Sequence, residues 1–221
     1  MRVVLFGATG MVGQGVLRAC LAAEDVEQVL VVGRSKTGKE HAKLREIVHA
    51  DFTDFSPIAS ELAGWDACFF CMGVSSAGMS EADYTRVTYD YALAAARVLS
   101  EKSPKMTFVY VSGAGTDSSE KGSSMWARVK GKTENAIAKL PFARAYMFRH
   151  GFIQPMHGVV SKTTLYRAVY AMTGPLYPVW KRVFPSFVTT TDAVANAMLR
   201  VARDGADKTV LETRDINRIG A

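Results

Sequence analysis

Three glycines recur at intervals of three in Gly7-Ala8-Thr9-Gly10-Met11-Val12-Gly13. A short apolar run, Arg2 to Phe6, precedes them, and Met11 to Ala23 follows with Val12, Val16, Ala19, Cys20 and Ala23 at helical spacing. Strand, GxxGxxG turn and helix in that order suit one chemistry. The glycines allow a tight turn and close backbone approach to a pyrophosphate, and the helix start offers free N–H groups and a positive dipole end. The predicted phosphate-facing residues are therefore Gly7, Thr9, Gly10, Met11, Val12 and Gly13. The next strand, Gln28 to Val32, runs into Gly33-Arg34-Ser35-Lys36. A site for NAD carries an acid there to accept from the ribose hydroxyls, whereas two cations and no acid suit a 2′-phosphate. Arg34 and Lys36 thus predict NADP(H), with a solvated cationic loop as the alternative. Ligands of open α/β sheets bind at the carboxyl ends of strands, so Asp51 and Phe52 are expected at the adenine and Cys71 and Gly73 beneath the ribose.

A second set of residues gains meaning from a resemblance. The glycine loop, Arg34, and Val111-Ser112-Gly113-Ala114-Gly115-Thr116-Asp117 followed by Lys130 resemble the atypical short-chain dehydrogenases, NAD(P)-binding proteins akin to epimerases and dehydratases. Asp90-Tyr91, Val129-Lys130-Gly131 and Arg149 with Gly151 are similar to the branch of the HIV Tat-interacting protein and its bacterial relatives. The resemblance runs to about residue 155 and fades beyond it. It implies a Ser that orients a substrate carbonyl and a Tyr-x-x-x-Lys whose Tyr exchanges the proton while the Lys holds the nicotinamide ribose. Ser112 and Lys130 match the outer members. Trp126 stands in the tyrosine's place.

An indole N–H only donates and does not exchange its proton in the useful range. General acid–base catalysis, typically worth ~10²–10⁴-fold, must then come from another group. Candidates are Tyr84 and Tyr91, seven apart on one face of a predicted helix, Tyr89, and His150 at a position where relatives usually have Pro; each reads equally as a packing residue. Lys130, in Lys130-Gly131-Lys132, could also be a surface lysine. The resemblance implies an NADPH-dependent oxidoreductase or epimerase-type enzyme on a small, weakly polar substrate. The alternative, which Trp126 favours, is a non-catalytic regulatory or scaffold protein that binds NADP(H).

The elements that must position these residues alternate. Strands are predicted at Arg2 to Phe6, Gln28 to Val32, Ile47 to Ala50, Ala67 to Cys71, Met106 to Val111, Ala143 to Phe148 and Lys208 to Glu212. Helices are predicted over Met11 to Ala23, Glu81 to Lys102 (capped by Ser80, with Asp83 three residues on), Ser123 to Leu140, and from a Thr191-Asp192 cap to about Arg203. Apolar strands separated by helices imply an α/β fold, a doubly wound, mostly parallel Rossmann-type sheet. One domain over residues 1–221 is expected, with 152–188 as a small aromatic-rich lobe of short helices and turns. There Phe152, Ile153, Tyr166, Tyr170, Met172, Trp180 and Phe184 either line an apolar pocket over the nicotinamide or simply form core. Lys162, Arg167, Lys181 and Arg182 among them make peripheral membrane contact conceivable.

Composition bounds the rest. At 221 residues the chain can bury roughly 70% of its unfolded surface, and 48% hydrophobic with 22% charged residues excludes a mostly disordered chain. No apolar run reaches the ~18 residues of a membrane span. The net charge of +6 suits a phosphorylated ligand, and no nucleic-acid-binding signature accompanies it. Cys20, Cys68 and Cys71 are too few and too uneven for a secreted scaffold, which predicts a reducing compartment with the cytoplasm as the expected location. Cys68 and Cys71, three apart on a strand, should face opposite sides, so no metal site is expected. A monomer or a homodimer is equally compatible.

Overall fold

In the computed structural model, which describes residues 1–159 and 186–221, nine strands lie among the described residues, those at the centre of the main sheet apolar in succession and buried on both faces. They are β1 (Arg2–Phe6), β2 (Gln28–Gly33), β3 (Leu44–Val48), β4 (Ala67–Phe70), β5 (Thr107–Val111) and β6 (Arg144–Arg149), then β7 (Phe152–Gln154), β8 (Val188–Thr190) and β9 (Val210–Glu212). Seven form one parallel sheet in the order β3-β2-β1-β4-β5-β6-β9. Strand order reverses between β1 and β4, and that reversal opens a crevice at their carboxyl ends.

Alternation along the strands divides the core in two. Val3, Leu5, Val29, Val31, Phe69 and Val109 point to one side, against α1 (Met11–Ala22). Val4, Phe6, Leu30, Val32, Phe70 and Phe108 point to the other. Cys68 belongs to the second side and Cys71 packs on the first, as the strand period requires. The second side is covered by α2 (Glu81–Thr85), a π-helical turn Arg86–Asp90, α3 (Tyr91–Lys102) and α4 (Met125–Ile137). On the first side, α5 (Thr191–Asp204) packs beside α1, and α6 (Thr213–Gly220) packs against α5.

Several boundaries move. The third strand starts at Leu44 and ends at Val48, and the last is only three residues long. Ser80 caps its helix as predicted, its Oγ accepting from the Asp83 amide at 3.1 Å, whereas the Thr191-Asp192 cap is replaced by Thr190 accepting from the Ala193 amide. Phe152–Gln154 is not a turn but a strand, paired in parallel with Val188–Thr190. The π turn also corrects a face assignment. An extra residue in the turn breaks the two-turn spacing, so Tyr84 and Tyr91 diverge: Tyr84 is buried near Tyr110, and Tyr91 lies 5.8 Å from the Phe52 ring. Tyr166, Tyr170, Met172, Trp180 and Phe184, with Lys162, Arg167, Lys181 and Arg182, lie outside the described residues.

Candidate functional site

The crevice begins where β1 stops. Gly7 adopts φ +77° and its carbonyl accepts from the Gly10 amide at 2.9 Å, closing the turn. A β-carbon at Gly7 would lie 2.7 Å from the Cys71 carbonyl carbon and the Met72 nitrogen, so only glycine lets β4's end pass beside the loop. At Gly13 a β-carbon would lie 2.1 Å from the Gly7 oxygen, backbone against backbone. Helix α1 then starts at Met11 with no side-chain cap and no acid in its first turn. Its orphan N–H groups and positive end therefore face the crevice, a cradle that fits a pyrophosphate.

Beside this cradle lies a cavity of about 110 Å³ that brings together Gly7, Thr9, Val32, Arg34, Phe52 and Met72. Arg34 is its one charged lining residue, and no carboxylate is present among the described ones. The cationic loop is tied down by the Thr37 amide, which donates to Glu46 Oε1 at 2.7 Å. Lys36 is exposed nearby but does not line the cavity. Asp51 is turned to its own loop, where Oδ1 accepts from the amide and hydroxyl of Thr53 at 2.8 and 2.6 Å, and these bonds hold its pKa low. Phe52, not Asp51, reaches the cavity, and Met72 takes the place expected of Cys71, whose thiol packs into the core with its pKa raised by burial. Gly73 has open space where a β-carbon would be, so no part of the chain itself packs against it. A larger groove of about 430 Å³ between the end of α4 and the starts of β6 and β9 lies away from these strand ends.

The far side of the crevice is built differently. Ser112, directly after β5, donates its single hydroxyl hydrogen to Glu134 Oε1 at 2.5 Å, with the Phe148 carbonyl at 3.3 Å. Glu134 also receives Arg149, whose Nε lies 3.1 Å from both carboxylate oxygens and whose Nη2 bonds Oε2. Arg149 Nη2 reaches Ser118 Oγ at 2.5 Å, and its Nη1 lies 3.7 Å from Glu212. Glu134 is 3% exposed and Arg149 12%, so this is a buried, fully bonded network. Its consequence is a correction: the Ser112 hydrogen that was expected to orient a substrate is committed to Glu134. Sequence reasoning missed Glu134, although Trp126, Lys130 and Glu134 are spaced by four on α4 and share its inner face.

Trp126 lies against the Gly113-Ala114-Gly115 turn, its ring atoms 3.8 and 3.5 Å from where β-carbons would stand at Gly113 and Gly115. Lys130 is half-buried, with Nζ 5.9 Å from the Tyr110 ring centroid. Loss of hydration lowers its pKa to about 8, against the raising effect of Glu134. His150 Nδ1 lies 2.9 Å from the Gly151 carbonyl, which makes it the protonated ring nitrogen. Burial above all, together with the Lys130 charge, lowers the imidazole's pKa to about 4. The tyrosine substitutes are engaged elsewhere. Burial raises Tyr84 and Tyr110, Tyr89 carries the Lys132 ammonium 4.6 Å above its ring, and Tyr91 packs on Phe52.

A family model described as NAD(P)H-binding matches residues 7–146, from the first glycine of the cradle to β6. The chain belongs to the NAD(P)H-binding family. This NAD(P)H-binding protein is 27% identical over 192 residues to "Protein FMP52, mitochondrial" of Meyerozyma guilliermondii, covering 81% of this chain and 80% of that one. It is 25% identical over 221 residues to "Protein fmp52-2, mitochondrial" of Aspergillus oryzae, covering 98% and 95%. In fold it is similar to the Bordetella bronchiseptica enzyme WbmF in complex with NAD+, with TM-score 0.66 and 16% identity over 98% of this chain and 76% of that one. The expected short-chain-dehydrogenase and epimerase-like fold is thus borne out. The expected cytoplasmic location is corrected by the relatives, whose names designate them mitochondrial. Unpaired cysteines report a reducing environment, which an organelle interior can also provide, so their count could not separate the two. Among the described residues no helix is long and apolar enough to cross a membrane, and no group of three His, Cys, Asp or Glu is placed to hold a metal.

Proposed function

We propose that this protein is an NADP(H)-dependent oxidoreductase acting on a small, weakly polar carbonyl compound. The observation that carries the reading is the cavity at the end of β2, where Arg34 is the one charged lining residue and no described carboxylate competes for the ribose. In this reading the Gly7–Gly13 turn and the start of α1 hold the pyrophosphate, and Arg34 with Lys36 meets the 2′-phosphate. Trp126, Lys130 and His150 stand at the nicotinamide end. When bound, the cofactor supplies a hydride; the chain binds it, excludes water and manages the proton. The mitochondrial designation of the fungal relatives supports a mitochondrial setting.

Calorimetric titration tests this directly. NADPH should bind at least tenfold more tightly than NADH, a difference of ~1.4 kcal/mol that one charge-assisted pair can supply. Arg34→Ala should bring the ratio towards one. Equal affinities in the parent protein would overturn the NADP(H) assignment. A second reading, a non-catalytic NADP(H)-responsive protein, is favoured by Trp126 and by the committed Ser112 hydroxyl. The proton chemistry below separates the two.

A further inference from the structure

We propose that Lys130 is the catalytic residue that exchanges the proton at this site, handing it from Nζ to the substrate oxygen. This rests on the oxidoreductase reading and goes beyond it, because the resemblance gives the lysine only ribose binding and support of a tyrosine that is absent. The first observation is a diverted partner. Four residues apart on α4, Lys130 and Glu134 are spaced to form an ion pair. Arg149 takes the Glu134 carboxylate instead, with Nε and Nη2, and Ser112 takes a further position on it. Among the described residues Lys130 forms no ion pair; its Nζ faces the Tyr110 ring.

The second observation is what surrounds the amine. Glu134 faces it from α4, Tyr110 from β5 and His150 from the end of β6, and Tyr84 on α2 lies beyond Tyr110. Glu134 is negative but neutralised by Arg149. His150 is uncharged above pH about 4, and burial keeps both phenols protonated. An ammonium with little water and no private counter-ion gives up its proton readily, which is why its pKa is lowered to about 8. A value near the working pH suits an acid–base group. The other candidates are engaged or unsuited: Trp126 does not titrate usefully, the Ser112 hydrogen is held by Glu134, Tyr84 is buried, and Tyr89 and Tyr91 lie against Lys132 and Phe52.

The step balances with NADPH as the reductant. The carbonyl carbon gains the hydride and forms a C–H bond, while the oxygen, receiving the former π pair, takes the proton from Lys130 Nζ. The products are the alcohol, NADP+ and a neutral amine, which regains its proton from solvent. In the oxidative direction the neutral amine accepts the alcohol proton. Reduction therefore needs the protonated form and should fall as pH rises through about 8, and oxidation should rise over the same range.

The experiment uses the full chain with NADPH and three probes, benzaldehyde, hexanal and acetophenone. Turnover should fall above pH about 8, and Glu134→Gln should move that limb lower because its carboxylate raises the ammonium's pKa. Lys130→Arg keeps the charge but has no proton to give near neutrality. It should lose kcat about a hundredfold with NADPH affinity changed less than about threefold. In cofactor-free wild-type protein, the pH dependence of Lys130 acetylation by acetic anhydride, read by mass spectrometry, should give the same titration. Titration at the ordinary lysine value of 10.5, or full turnover in Lys130→Arg, would overturn the proposal. No turnover of any probe by protein that binds NADPH would also overturn it while leaving cofactor binding intact. Failure to bind NADPH would instead remove the underlying function.

Discussion

The two halves of the crevice solve their problems in opposite ways. On the β1–β4 side the working parts are backbone: a left-handed Gly7, a Gly13 that lets α1 meet the turn, and uncapped amides at Met11. On the β5–β6 side they are side chains drawn from separated segments, with Ser112, Glu134 and Arg149 bound into one buried network and Trp126 and Lys130 along the same helix face. Backbone sites tolerate little change because sterics fix them. Side-chain sites can be rewired. The contrast explains why cofactor binding and reaction chemistry can be inherited separately.

The largest effect should come from the backbone half. Gly13→Val would drive a side chain into the Gly7 carbonyl, which already lies 2.1 Å from the β-carbon position. Overpacking of this kind costs about 1–3 kcal/mol or more, and NADPH binding should become undetectable by titration. Gly10→Val, whose β-carbon would stand 3.3 Å from the same oxygen, should keep most of the stability and still lose binding through its side chain. If Gly13→Val binds normally, the glycine half is not the rigid partner in the comparison.

In the side-chain half, Arg149→Met strands a buried carboxylate and should cost about 3–5 kcal/mol in urea unfolding. Pairing it with Glu134→Gln should recover much of that loss. If the two changes add independently, the network is not the coupled unit that its geometry describes.

A smaller effect concerns His150. Its folded pKa of about 4 lies below the ordinary 6.5, so the unfolded chain takes up the proton first as pH falls. Stability from this group is complete above pH 6.5 and is lost as pH falls towards 4, by up to about 3 kcal/mol. His150→Gln should flatten the stability profile over that interval in a pH series of denaturant melts. An unchanged profile would mean that the imidazole is hydrated and takes up its proton beside Lys130 as readily as in the unfolded chain.

Much of the sheet was legible because its central strands are buried on both faces and so read as apolar runs. β3 was misplaced because it is an edge strand with exposed Arg45 and a mixed pattern. α6 was missed since its eight residues offer only Ile216 and Ile219 as periodic apolar signals. β7 and β8 were missed because three-residue strands carry no period of their own.

By itself the sequence determined the glycine half. A turn made of near neighbours, Gly7 to Gly13, leaves its steric requirement in the residue types, and Arg34 follows a strand whose end was visible. What only the tertiary structure decided was the allegiance of side chains far apart in the chain. Ser112 meets Glu134 across 22 residues and Arg149 meets Glu134 across 15. Spacing on a helix can propose that Glu134 pairs with Lys130. The winner is set by which cation the folded strand ends bring to the carboxylate, and β6 brings Arg149 with a planar fork of donors that a lysine cannot match.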